Sequence, residues 1–370
     1  ASFGIVTGVT FSSGMMEIAR KGIFVPSYFN MPELITIFLA VMLTDVLLLD
    51  LFNTFGLPTS TTVSIVFELL GAAVAIAIVK ITHAGESLSL LSEYINTSKA
   101  LTIISGILLS IVVAFFLGSI IQFFSRLLFT FNYKKNMNRY GAIWGGAALS
   151  AIIYFILVKG AKGAVFISDA QVAWIKSHTL TMLGWSFLGS AIVLQILLFC
   201  RVNIFKPIIL IGTFALAMAF AANDLVNFIG VPLAGLHAFR FAKMADNPLT
   251  ASMDALGAKV QSDGYLLLIA GTIMVITLWL SRKARTVSET ELSLGSQEEG
   301  TEKFESNYMA RKLVRMTVSL FDALGFLIPQ STRQWLRVRL DTGSYGTHLD
   351  ESNRPSFDLL RASVNLMVAS

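Results

Sequence analysis

The sequence predicts an all-α polytopic membrane protein with broken or re-entrant helices, and three observations lead there. Of 370 residues, 55% are hydrophobic and only 14% are charged, against roughly a quarter charged in a soluble domain; mean hydropathy is +0.70. Several apolar runs reach the about 20 residues that cross ~30 Å of hydrocarbon. Two greasy stretches are interrupted by polar segments that contain proline and glycine. The charge deficit excludes an ordinary soluble enzyme. A lone cysteine, Cys200, excludes a disulfide framework, and His83, His178, His237 and His348 show no metal-ligand spacing. No Ser–His pair is visible, so the chain does not read as an enzyme. Nothing in it points to an organic cofactor, a structural metal or nucleic acid.

The elements follow in order. Gly4–Met16 reads as the remainder of a helix. Met31–Phe52, carrying Glu33, Asp45 and Asp50, and Val63–Val79, carrying Glu68, are apolar enough to span. Ala100–Ser125, Tyr140–Val158, Thr179–Cys200 and Gly264–Ser281 contain no formal charge, and Pro207–Asn223 is slightly short. Arg126, Lys134, Lys135 and Arg139 crowd one connection that lacks an acid, which places it in the cytoplasm. The same parity puts Arg201, Lys206, Arg282, Lys283 and Arg285 there, and turns Lys159–His178 and Leu236–Asp263 outward. The expected organisation is a transmembrane core over 1–281, a polar cytoplasmic insertion over 282–355, and the start of a further transmembrane helix over 356–370. The apolar start and the hydrophobic end suggest a chain cut from a longer protein.

Within the insertion, Ser288–Thr301 is too polar to bury a core. An amphipathic helix is expected over 304–328, with Met309, Leu313, Met316, Leu320, Leu324 and Leu327 on one stripe beside Arg311, Lys312 and Arg315. It fits either membrane lipids, basic face toward anionic headgroups, or the protein's own inner surface.

The first polar interruption runs from Asn53 through Thr62. Gly56 and Pro58 end the preceding helix, and a new one is expected to start near Thr59 or Ser60, both good caps. Its first turn offers amide N–H groups, a positive dipole end and the hydroxyls of Ser60, Thr61 and Thr62, the donors a tetrahedral oxyanion needs. An ordinary capped loop fits the same residues. The second interruption runs from Ala221 through Pro232. There Asp224 closes a charge-free run and Asn227 follows one turn later on the same face. Carboxylate and amide oxygens suit a hard monovalent cation or a proton at membrane depth; a carboxylate at the membrane–water boundary is the alternative.

Asn223-Asp224-Leu225-Val226-Asn227 with Gly230 resembles the "GANDVANAxG" signature of the inorganic phosphate transporter (PiT) family. Pro58-Thr59-Ser60-Thr61-Thr62 is similar to that family's "P-[VT]-S-T-T-H-S" motif, and Arg20-Lys21-Gly22-Ile23 to its "TIRKGI" stretch. The resemblance covers roughly residues 1–281 and the segment from Phe357. It implies an inverted-repeat transporter, each repeat carrying one motif of each kind, and a homodimer. The partner motifs would lie before Ala1 and after Ser370. Departures are Val63 in place of the family histidine, Phe67 and Glu68 in place of small residues, and Ala221 in place of glycine.

What the resemblance implies is a symporter of inorganic phosphate driven by Na+ or H+, in an integral, multi-pass protein of the cell membrane. Ser60, Thr61 and Thr62 would hold phosphate, while Asn223, Asp224 and Asn227 would hold the coupling ion. Asp50 is the further candidate for the cation, and Asp45 is expected to pair structurally. Sulfate, another tetrahedral oxyanion, and an anion channel are the alternative readings.

Overall fold

The computed structural model describes residues 1–11, 23–131, 133–161, 169–251, 264–293, 307–325, 329–340 and 358–369. Its helices are α1 (Ser2–Phe11), α2 (Met31–Phe55), α3 (Thr61–His83), the single turn α4 (Leu91–Tyr94), α5 (Thr97–Phe129), α6 (Tyr133–Ala161), α7 (Asp169–Ser177), α8 (Thr179–Phe199), α9 (Phe205–Phe220), α10 (Val226–Lys243), α11 (Gly264–Leu280), α12 (Arg282–Ser293), α13 (Tyr308–Gly325), α14 (Gln330–Leu340) and α15 (Leu359–Ala369). Among the described residues, β pairing is limited to an isolated antiparallel bridge between Phe24 and Ile95.

The apolar runs become these helices with modest shifts at their ends. Among the described residues, α2, α3, α5, the Asn136–Val158 part of α6, and α8 are each long and apolar enough to cross a bilayer. Helix α11 qualifies together with α12, which bends from it by 75°. On α5, Leu101, Leu108, Leu109, Ile111, Phe115 and Phe116 are all more than half exposed. Water disfavours such a surface, whereas hydrocarbon accommodates it because every backbone polar group is satisfied within the helix. The expected outward connection from Leu236 is shorter than the sequence suggested, since α10 continues to Lys243.

Three apolar clusters hold the helices together. The first joins Leu34, Ile37 and Val41 of α2, Leu69, Ala73 and Ala77 of α3, and Val231, Ala234 and Ala238 of α10. The second gathers Phe129, Trp144, Leu194, Phe205 and Leu360 from α5, α6, α8, α9 and α15. In the third, Ile5 and Val9 of α1 meet Ala221, Leu233 and Leu267. Helix α1 approaches α9 very closely: a Cβ on Gly4 would lie 2.4 Å from Phe214 O, and one on Gly8 would lie 2.2 Å from Met218 O. Glycine at the crossing lets the two backbones touch, the usual means of packing helices in lipid.

Polar contacts tie the helix ends. Asn30 caps α2 in a reciprocal box: Asn30 N–H donates to Glu33 Oε2 at 2.8 Å and Glu33 N–H donates to Asn30 Oδ1 at 3.3 Å. Lys80 of α3 reaches the same Glu33 oxygen at 3.0 Å, joining α2 and α3 at their base. A buried ion pair between Arg126 and Asp358 links the end of α5 to the start of α15.

The insertion holds more helix than its composition suggested. Helix α12 runs into the Ser/Glu-rich stretch as far as Ser293, and α14 follows the amphipathic segment. Helix α13 covers Tyr308–Gly325 of the expected 304–328, and 304–306 and 326–328 lie outside the described residues. Every residue from Asn307 to Ser319 is exposed, Met309, Leu313 and Met316 by 63% or more. Over those residues the apolar stripe is not packed on the protein's own surface.

Candidate functional site

Helix α2 ends where Gly56 turns left-handed, φ 63°, a conformation glycine adopts without steric cost. Gly56 N–H donates to Asn53 O at 3.1 Å and Leu57 N–H to Phe52 O at 2.8 Å, which satisfies the last carbonyls of the helix. The chain passes through exposed Pro58 and Thr59 and starts again as α3 with Ser60 as its N-cap, as the sequence indicated. Val63 N–H donates to Ser60 Oγ at 3.4 Å and Ser64 N–H to Ser60 O at 3.0 Å. Ser60 Oγ acts there as an acceptor, so its own hydrogen remains a donor. Thr61 Oγ1 is buried without a hydrogen-bond partner among the described residues, and Thr62 is half-buried.

The second interruption takes the form of a π-helical turn, Ala221–Leu225, between α9 and α10. Such turns are rare and recur at functional sites. The backbone of Asn223 and Asp224 lies in the turn and that of Asn227 in the first turn of α10; their side chains lie outside the described residues. So do Arg20, Lys21 and Gly22 of the third motif. Helices α1 and α11 pack against the π turn, and α10 packs against both α2 and α3. Phe228, next to Asn227, lies on the core of the α2–α3 hairpin. The fold thus brings the elements that carry the two motifs into contact.

The two aspartates of α2 sit in different surroundings. Asp50 is exposed, and Lys283 Nζ of α12 reaches its Oδ1 at 2.5 Å. Asp45 is fully buried and has no ion pair among the described residues. Its Oδ1 lies 2.9 Å from Ser64 Oγ, and Glu68 Oε1 lies 2.7 Å from the same hydroxyl. Sequence reasoning missed Ser64 as the bridge between them. The signal was present: Thr61, Ser64 and Glu68 recur at the spacing that stacks side chains on one helix face. Among the described residues, no group of three or more His, Cys, Asp or Glu side chains is arranged around a metal position.

Residues 1–290 match the family model described as the phosphate transporter family. The chain belongs to the phosphate transporter family. A Pyrococcus abyssi protein named as a phosphate permease is 25% identical over 269 residues, which are 70% of this chain and 59% of that relative. The aligned segment therefore spans less than two thirds of that relative's length. A solved structure titled as the sodium-dependent phosphate transporter superposes with a TM-score of 0.52 at 20% identity, covering 99% of this chain and 86% of its own. That likeness establishes a shared fold. With the apolar helices it makes this family member a multi-pass integral membrane protein.

Proposed function

We propose that the chain is the core of a secondary active transporter that carries inorganic phosphate together with Na+ or H+. Its membership of the phosphate transporter family carries this reading. In it, the start of α3 holds the anion through the hydroxyls of Ser60, Thr61 and Thr62 and through the helix dipole. Asn223, Asp224 and Asn227 at the π turn hold the coupling cation. Asp50 is the weaker member of that set, because its carboxylate already serves Lys283.

Electrostatics supplies the coupling. Phosphate beside an ionised carboxylate is repelled strongly in a low dielectric. A bound cation cancels that repulsion, so each ligand binds better in the presence of the other, and by the same factor. Motion of two inverted repeats against each other would then expose the loaded site to either side in turn.

Helix α13 is assigned to the membrane surface. Its stripe of Met309, Leu313 and Met316 is exposed beside Arg311, Lys312 and Arg315, a combination that suits anionic lipid headgroups.

The test is uptake of labelled phosphate by the whole protein in proteoliposomes, with imposed sodium or proton gradients and unlabelled sulfate as competitor. Sodium comes first among the ions because the structural neighbour is named for it. Gradient-driven uptake that Asp224→Asn and Thr61→Ala abolish supports the reading. Ion-independent current would make the protein an anion channel, and stronger competition by sulfate than by phosphate would change the substrate.

A further inference from the structure

The oxygens of Asp45, Ser64 and Glu68 meet between α2 and α3. Asp45 is 0% exposed. Ser64 Oγ sits between Asp45 Oδ1 and Glu68 Oε1 at 2.9 and 2.7 Å, both hydrogen-bond distances. The remaining carboxyl oxygens, Asp45 Oδ2 and Glu68 Oε2, are buried and have no hydrogen-bond partner among the described residues. Thr61 Oγ1, one turn before Ser64 on the same face of α3, is buried and unpartnered as well.

A serine hydroxyl has one hydrogen, so it donates to one carboxylate only. The second short contact becomes a hydrogen bond when the other carboxyl carries a proton and donates to Ser64 Oγ. Charge points the same way, because two ionised carboxylates sharing one part-buried hydroxyl, one of them on fully buried Asp45, are unstable without a neutralising partner. No ion pair among the described residues reaches either group. The charged and titratable groups on the helices around the hairpin are otherwise engaged or placed at its surface. Lys80 pairs with Glu33 and Lys283 with Asp50. His83 on α3, Glu93 on α4, Arg240 and Lys243 on α10, and Arg282, Arg285 and Glu289 on α12 are exposed. Two are buried instead, His237 of α10 and Tyr94 of α4.

We propose that Asp45 and Glu68 share a single proton across Ser64, and that this pair is a proton-binding site which loads and unloads during transport. One proton leaves water on the outer side, binds a carboxylate of the pair, and returns to water on the inner side. The proton site itself stands on the geometry above; its role in transport rests on the phosphate-carrier reading.

Two measurements on the full chain test it separately. Infrared spectroscopy of the protein in lipid is expected to show a neutral carboxyl stretch at pH 7 that shifts in heavy water and is lost in Asp45→Asn/Glu68→Gln. In proteoliposomes, an acidic exterior is expected to speed phosphate uptake by the wild type. In Glu68→Gln, whatever uptake remains is expected to be the same with and without the gradient. Should that variant fail to reach the membrane, Asp45→Asn carries the same comparison. The wild-type infrared titration needs no variant at all. Absence of the neutral carboxyl band overturns the proposal, as does its disappearance on adding sodium, or a gradient response retained in Glu68→Gln. If the wild type moves no phosphate, the carrier reading falls and the infrared band alone decides the proton site.

Discussion

Lys283 Nζ contacts Asp50 Oδ1 at 2.5 Å, fastening α12 to α2 across 233 residues of chain. Both side chains are at least half exposed, 50% and 62%. Exposed pairs of this kind contribute up to about 1 kcal/mol. A double-mutant cycle of Asp50→Asn and Lys283→Met, read by thermal unfolding of the purified protein, is expected to give a coupling no larger than that. A coupling above about 2 kcal/mol would mean that the pair is shielded in the membrane and acts as a buried one.

Thr61 offers a cleaner test of the anion site than a truncation would. Thr61→Val preserves shape and removes the hydroxyl, whereas Thr61→Ser preserves the hydroxyl. Losing one hydrogen bond to a charged ligand costs about 1.5–3 kcal/mol, so phosphate uptake in the valine variant is expected to fall at least about tenfold. The serine variant is expected to retain most of it. Initial uptake rates, normalised to the protein present in the membrane, decide the matter, and equal rates would remove Thr61 from the site.

Gly8 is the tightest point of the α1–α9 crossing. Alanine there would drive its Cβ into the carbonyl oxygen of Met218, 2.2 Å away. Gly8→Ala is expected to destabilise the protein by about 1–3 kcal/mol, the usual cost of overpacking. Because α1 also lies against the π turn, transport is expected to suffer with stability. Unfolding temperature and uptake measured on the same preparation would show both effects.

The buried pair of Arg126 and Asp358 behaves differently from the exposed one. Asp358 Oδ1 also accepts Arg361 N–H at 3.0 Å at the start of α15, a role that asparagine can fill. Asp358→Asn therefore removes the charge and little else, leaving Arg126 unpaired, at an expected cost of about 3–5 kcal/mol. The double replacement Arg126→Met/Asp358→Leu is expected to cost much less. Should the double variant be the worse of the two, the pair contributes more than mutual neutralisation.

An environment-sensitive dye on Met316→Cys, in a Cys200→Ser background, reports where α13 lies. It is expected to move to an apolar environment in anionic bilayers and to leave it at high salt, since each basic residue contributes about 1 kcal/mol near such a surface. Replacing Arg311, Lys312 and Arg315 by glutamine is expected to abolish the shift. A dye signal indifferent to lipid charge would assign the stripe to another partner.

Much of this protein was legible in one dimension. Length and apolarity mark a spanning helix without reference to any neighbour, which is why α2, α3, α5, α6 and α8 fall where the runs predicted. Gly56 and Ser60 act through local backbone sterics and local hydrogen bonds, so the end of α2 and the start of α3 could be read from their residue types. The order of Asp45 and Asp50 could not. Burial and pairing depend on groups brought from elsewhere in the chain, and only the fold sets Lys283 against Asp50 and Ser64 between Asp45 and Glu68. The π turn at Asn223 and Asp224 likewise packs against α1 and α11, a contact that a list of residue types does not contain. Apolar length and local residue types determined the helices and their caps; tertiary packing decided which carboxylates are exposed and paired and which are buried and share a hydroxyl, because the cost of a charge is set by its surroundings.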